Sequence, residues 1–207
     1  MRPASPRRSF ARAIARGYTV VEVLLSMTVL AIGASAVMSM QKAALQGNLD
    51  ARKTDMANSI ARMWVERIRR DATQWTLPSP VNPSGNNFAS AQLLQYVGTG
   101  WVLPTAYAGQ TPPVSPGFDM LGRDITNASA TTSPPPVYCV NIQETYVFTD
   151  GTNAGNNLIR VDVRVLWVRG INGGATNPCA MATTVLPSPQ LYQSVYMTTV
   201  VRANGLP

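Results

Sequence analysis

Few residues in this 207-residue chain could do chemistry, and the most conspicuous is a carboxylate in an apolar setting. Glu22 is the only charged residue in the 23-residue run "YTVVEVLLSMTVLAIGASAVMSM", from Tyr18 to Met40. A charge in hydrocarbon costs roughly 2.5 to 3.5 kcal/mol even on a lenient insertion scale, so Glu22 calls for a cationic partner or a role. Catalysis finds little support elsewhere. The chain has no histidine, which removes both a Cys-His nucleophile and a Cys/His zinc site. Asp119, Asp124, Glu144, Asp150 and Asp162 are scattered over turn-like and strand-like stretches without the spacing that paired acid/base work needs. We therefore expect no enzyme, no metal and no cofactor. Asp150, Asn153 and Asn156, within residues 149 to 157, offer calcium-type oxygens, but with one carboxylate the segment reads as a hairpin turn.

The run that holds Glu22 is long enough to cross a hydrocarbon core of ~30 Å at 1.5 Å per residue. Before it lies "MRPASPRRSFARAIARG", with Arg2, Arg7, Arg8, Arg12 and Arg16 and no acid. The positive-inside bias then holds the N-terminus in the cytoplasm and sends the rest across the membrane. Five of the 17 basic residues lie in this leader, which leaves 12 against 10 acidic residues, a balance of +2. The formal charge of +7 is thus mostly topological rather than a sign of nucleic-acid binding. A signal peptide fits poorly, because its apolar region is shorter and ends in a small-x-small cleavage site.

The stretch "RGYTVVE" resembles the N-terminus of a type IV prepilin: a basic leader ending in glycine, an aromatic residue, a hydroxyl residue, two apolar residues and a glutamate. In that family a prepilin peptidase cuts after the glycine, the new terminus is N-methylated, and the glutamate pairs with the amine of a neighbouring subunit. Carried onto this chain, the resemblance implies cleavage between Gly17 and Tyr18, methylation at Tyr18, and Glu22 as the docking carboxylate. Tyr18 stands where phenylalanine or methionine is more usual, and Val20 and Val21 replace leucine and isoleucine, changes that keep shape and polarity.

Helical character continues beyond the apolar run. From Gln41 to Trp75 there is no proline, and Leu45, Leu49, Met56, Ile60, Met63, Trp64, Ile68 and Trp75 follow helical spacing, predicting one apolar stripe. Arg52, Lys53, Asp55, Arg62, Glu66, Arg69 and Arg70 are expected opposite it, and the Arg67, Arg69, Arg70 cluster reads as a solvated face. Gly33, Ser35 and Ser39 either permit close helix approach or are merely tolerated, and Gly47 and Asn48 weaken helix propensity locally.

After Leu77 the composition shifts to proline, glycine and serine, predicting a turn-rich connection over 78–136 with short elements near Phe88–Tyr96 and Met120–Ile125. Three strand signals follow, starting at Val137, Leu158 and Leu191. The middle one alternates Ile159, Val161, Val163, Val165 and Trp167 with Arg160, Asp162 and Arg164. Cys139 and Cys179, facing an oxidising compartment, are expected to form a disulfide.

The expected fold is α+β: a long N-terminal helix, transmembrane then amphipathic, packed against a small antiparallel sheet head, as in type IV pilins. The expected divisions are a leader (1–17), a transmembrane or filament-core half-helix (18–40), an amphipathic half-helix (41–77), a connecting region (78–136) and a sheet head (137–207). "ERIRRD", "VRVLW" and the cysteines flanking that strand look similar to minor pilins of the PilV type. That resemblance implies a minor pilin that primes pilus assembly and sits in the tip complex, supporting adhesion and twitching motility. The implied partners are prepilin peptidase, other minor pilins and the major pilin, a tip adhesin, the inner-membrane assembly platform and, before assembly, inner-membrane lipid. The head would be periplasmic and later part of a cell-surface pilus. The alternative is a pseudopilin of a type II secretion system. Nucleic acid would enter only if Arg123, Arg160, Arg164, Arg169 and Arg202 clustered in space.

Overall fold

The structure, a computed structural model, describes residues 18–76, 91–104, 115–125, 135–149, 157–169, 177–180 and 191–202. The leader with Gly17, the 150–156 part of the hairpin segment and much of the proline-rich connection lie outside the described residues. The chain divides into two compact units, one through Asn48 and one from Leu49 onward.

The first element, helix α1, runs Val20–Thr73 and tightens into a 3-10 turn at Gln74–Thr76. The sequence over these residues contains no proline, and Glu22 in its first turn and Arg70 in its last suit the helix dipole. In the first unit, residues 18–48 are exposed throughout. By length and composition α1 is able to cross a membrane.

In the second unit α1 buries Ala57, Ile60, Ala61, Trp64, Val65, Ile68 and Ala72, with Trp75 following in the 3-10 turn. This corrects the expected stripe. Leu49 remains exposed, as does Leu45 in the first unit, and Met56 and Met63 are only partly buried. Alanines at 57, 61 and 72 occupy the contact line instead, because small side chains let a helix backbone approach a sheet while Trp64 fills the space beside them.

The sheet has four strands in the order β1 (Gly117–Phe118), β2 (Tyr138–Phe148), β3 (Leu158–Val168) and β4 (Tyr192–Arg202), all neighbours antiparallel. The three long strands match the three sequence signals. The two-residue β1 falls inside the segment expected to be turn-rich, as do Val97 and Val102, whose isolated pairings with Glu144 and Ile142 lie along the same edge of β2. Tyr138, Val140, Ile142, Ile159, Val161, Val163, Val165 and Trp167 face the core with Phe118 and the α1 stripe. Burying each large side chain is worth about 1.5 to 3 kcal/mol. Ala91, Leu93 and Leu94 join the same core, so part of the expected connection is packed structure.

Arg67 is not on a solvated face. It pairs with Asp124 at 2.6 Å and lies over the rings of Trp64 and Phe118. Arg69, expected opposite the stripe, donates from Nε to the Thr199 hydroxyl on β4. At the turn after β1, Gly122 has φ +73°, a conformation that favours glycine, and a Cβ there would come 2.5 Å from the Met56 sulfur, so a larger residue would be strained and would push the Met56 side chain aside.

Cys139 and Cys179 are bonded, with Cα atoms 5.3 Å apart, tying the 3-10 turn Pro178–Ala180 to the sheet. Joining residues 40 apart in sequence should stabilise the fold by roughly 3 to 4 kcal/mol through the unfolded chain. Serine at both positions should therefore lower the denaturant midpoint of the full chain in detergent by an amount equivalent to a few kcal/mol. An unchanged midpoint would contradict this role.

Candidate functional sites at the helix start and under the 91–102 strap

The first site is the beginning of α1. Thr19 precedes the helix and caps it: its carbonyl accepts from the N–H groups of Glu22 (3.0 Å) and Val23 (3.2 Å), and its Oγ1 accepts from Glu22 N–H at 3.3 Å. The sequence Thr19-Val20-Val21-Glu22 has capping-box spacing, a signal that the pattern-based reading passed over. Glu22 thus has a local effect, placing negative charge where the unpaired N–H groups of the first turn favour it. Its carboxylate makes no hydrogen bond or ion pair among the described residues. Tyr18 is 81% exposed.

Further along, polar atoms on this apolar helix turn inward to its own backbone. The hydroxyls of Ser26, Thr28, Ser35 and Ser39 donate to the carbonyls of Val23, Leu25, Ile32 and Ala36 at 2.7 to 2.8 Å. A surface so arranged presents methyl and methylene groups with few unsatisfied polar atoms, the condition for contact with lipid or another apolar helix. Gly33 has no other atoms near it.

The second site was missed at the sequence level. Glu144 lies on the core face of β2, 1% exposed, and neither carboxyl oxygen has a hydrogen-bond partner among the described residues. Burial pushes its pKa from the usual 4.5 up to about 8. The Tyr96 backbone opposes that shift without closing a bond to either oxygen, and the negative charge of Asp71 adds to it. Asp71 itself accepts from the N–H groups of Gln92 (3.2 Å) and Leu93 (2.7 Å). Charged residues in a strand read as solvent-facing, and only the alternation Tyr138, Val140, Ile142, Glu144 signals that this one faces inward.

A second buried ionisable group occupies the opposite face of the sheet. Arg164 was expected on a polar face, yet it is 1% exposed. Its Nη2 donates to Asn141 at 3.2 Å and its guanidinium lies 4.4 Å from the centre of the Trp101 ring, which meets Tyr196 edge-on at 5.9 Å. Burial pulls its pKa below the usual value, partly offset by Tyr196. A covering aromatic replaces part of the lost hydration by cation–π attraction. Of the arginines considered for phosphate contact, Arg123 pairs with Asp119, Arg160 pairs with Asp162, and Arg164 is buried.

No family model matches the chain, and neither characterised proteins nor solved structures yield a match.

The raised Glu144 value has a definite sign for stability. Below pH 4.5 folded and unfolded chains both hold the proton. Between 4.5 and about 8 only the unfolded chain releases it, so stability falls by about 1.4 kcal/mol per pH unit, and above 8 the loss is complete. Glu144→Gln should therefore raise the unfolding midpoint of the head at pH 7.5 and give little or no gain at pH 4. Parallel pH curves for the two proteins would show that Glu144 does not titrate in this way.

Proposed function

We propose that this chain is a pilin-type subunit, and specifically a minor pilin that helps to prime and cap a type IV pilus. The observation that carries the reading is a single helix with two chemistries. Residues 18–48 are exposed, apolar through Met40 apart from one carboxylate in the first turn, whereas Ala57, Ile60, Ala61, Trp64, Val65, Ile68 and Ala72 are built into the core of a head.

In this reading α1 anchors the precursor in the inner membrane and later packs among similar helices in a filament. Both surroundings are apolar, so one surface serves both states. The hydroxyls turned onto their own backbone suit either. Glu22, with no side-chain partner among the described residues, would receive the methylated amine of Tyr18 from a neighbouring subunit. Once both charges are withdrawn from water, leaving either unpaired costs several kcal/mol, which makes their pairing a strong condition on docking register.

The head contributes a disulfide-tied sheet and a role that is structural rather than catalytic. Its partners would be prepilin peptidase during maturation, then the assembly platform, other minor pilins, the major pilin and an adhesin at the tip. The cut after Gly17 creates the amine, so processing must precede docking.

Glu22→Ala should leave processing and membrane insertion intact and reduce recovery of the subunit in sheared filaments at least tenfold, measured by immunoblot of filament and membrane fractions. Wild-type recovery of the variant in filaments would refute the pairing. Gly17→Val should accumulate uncleaved precursor in the membrane, and normal maturation of that variant would place the cut elsewhere.

A further inference from the structure

The segment 91–102 crosses the head as a strap. Ala91, Leu93 and Leu94 enter the core, the Asp71 carboxylate of α1 holds the N–H groups of Gln92 and Leu93, and Val97 and Val102 pair with the outer edge of β2. The backbone bonds are Gly98 N–H to Glu144 O (3.0 Å), Val102 N–H to Ile142 O (2.8 Å) and Ile142 N–H to Val102 O (3.0 Å). Trp101 then lies over Arg164 on the far face.

Glu144 sits where these parts meet. Its backbone holds the strap, its carboxyl is buried, and among the described residues the groups acting on it include no cation. Asp71 faces it from α1 and Tyr96 from the strap. From β3 it meets Val161, with Ile159 and Val163 to either side, and on its own strand Ile142 and Tyr146 share its face. Arg164 and the Arg160–Asp162 pair lie on the opposite face. A proton on Glu144 therefore favours closure, since among the described residues an anion there would have no closed hydrogen bond and would lie beside a second carboxylate.

We propose that the proton on Glu144 latches the 91–102 strap against β2 and α1, and that its loss frees the strap and uncovers the β2 edge at Ile142 and Glu144. The strap yields before the sheet because β2 is paired with β3 along its length, whereas the strap is held by the few bonds given above. Opening hydrates Glu144, separates it from the residues that Asp71 caps, and exposes unpaired backbone groups able to accept another strand. The sheet edge is thereby covered or offered according to pH. The device is independent of the pilin reading and would stand if that reading failed.

Amide hydrogen exchange on the full chain in detergent micelles tests it, with rates expressed as protection factors so that the intrinsic pH dependence of exchange is removed. If closure requires the proton and opening does not, protection at Tyr96, Gly98 and Val102 should fall about tenfold per pH unit between pH 5.5 and 7.5. These amides should also be less protected than those of Val163 and Val165 in β3. In Glu144→Gln the fall should vanish. In Asp71→Asn, which keeps Glu144 and an oxygen acceptor, the fall should level off at a lower pH than in the wild type. Flat protection in the wild type, an equal slope in Glu144→Gln, an unmoved levelling point in Asp71→Asn, or strap amides that exchange only together with β3 would each overturn the latch.

Discussion

The uncovered apolar surface of α1 between Val20 and Met40 is the constraint on which the rest depends. Val20, Leu24, Leu25, Met27, Val29, Leu30, Ile32, Met38 and Met40 are all more than half exposed. Each would gain about 1.5 to 3 kcal/mol on leaving water, so together they outweigh the net stability of an ordinary domain. No described residue of the chain covers them. Lipid or other apolar helices would cover them, and the inward-turned hydroxyls of Ser26, Thr28, Ser35 and Ser39 remove much of the polar cost of either contact. Glu22 is the exception on this surface, which makes its charge the feature most in need of a partner.

The head solves a different problem on each face of its sheet. On the α1 face, apolar residues from five elements close around one ionisable group, and Glu144 is accommodated by keeping its proton. On the other face a cation is buried, and Arg164 cannot give up its charge at ordinary pH. It is accommodated by Trp101, Tyr196 and Asn141 instead. The strap connects the two solutions, since Tyr96 and Val97 stand beside Glu144 while Trp101 covers Arg164. A single short segment thus seals both groups, and disturbing it at either end bears on the other.

The elements with a clear period were legible in the sequence. The alternation of Ile159 through Trp167 identified β3 and its core face, the proline-free run identified α1, and Cys139 and Cys179 could only pair with each other within one chain. Less legible were features without a period. β1 is two residues long, and the strap is held by long-range pairing that leaves no local signature. The α1 contact line was misread because large apolar residues were given more weight than Ala57, Ala61 and Ala72, although close packing against a sheet favours small ones. The burial of Glu144 and Arg164 is not legible for a shared reason: whether a charge on a strand is buried depends on what the chain lays over it elsewhere. Thr19 and Glu22 have capping-box spacing, and the same glutamate spacing also fits a docking group, so the two roles share one sequence signal.

The central claim is that α1 is a pilin helix, and that the Tyr18 amine just before it, once released, bears the charge that Glu22 of a neighbouring subunit receives. Intact-mass and N-terminal analysis of the protein from sheared surface filaments and from inner membrane tests it most directly. A filament-derived chain beginning at N-methyl-Tyr18 is the expected result, and the same mature chain confined to the cell envelope would point to a secretion pseudopilus instead. An uncleaved chain in both fractions would contradict the claim and leave Glu22 as a helix-capping residue in an ordinary membrane anchor.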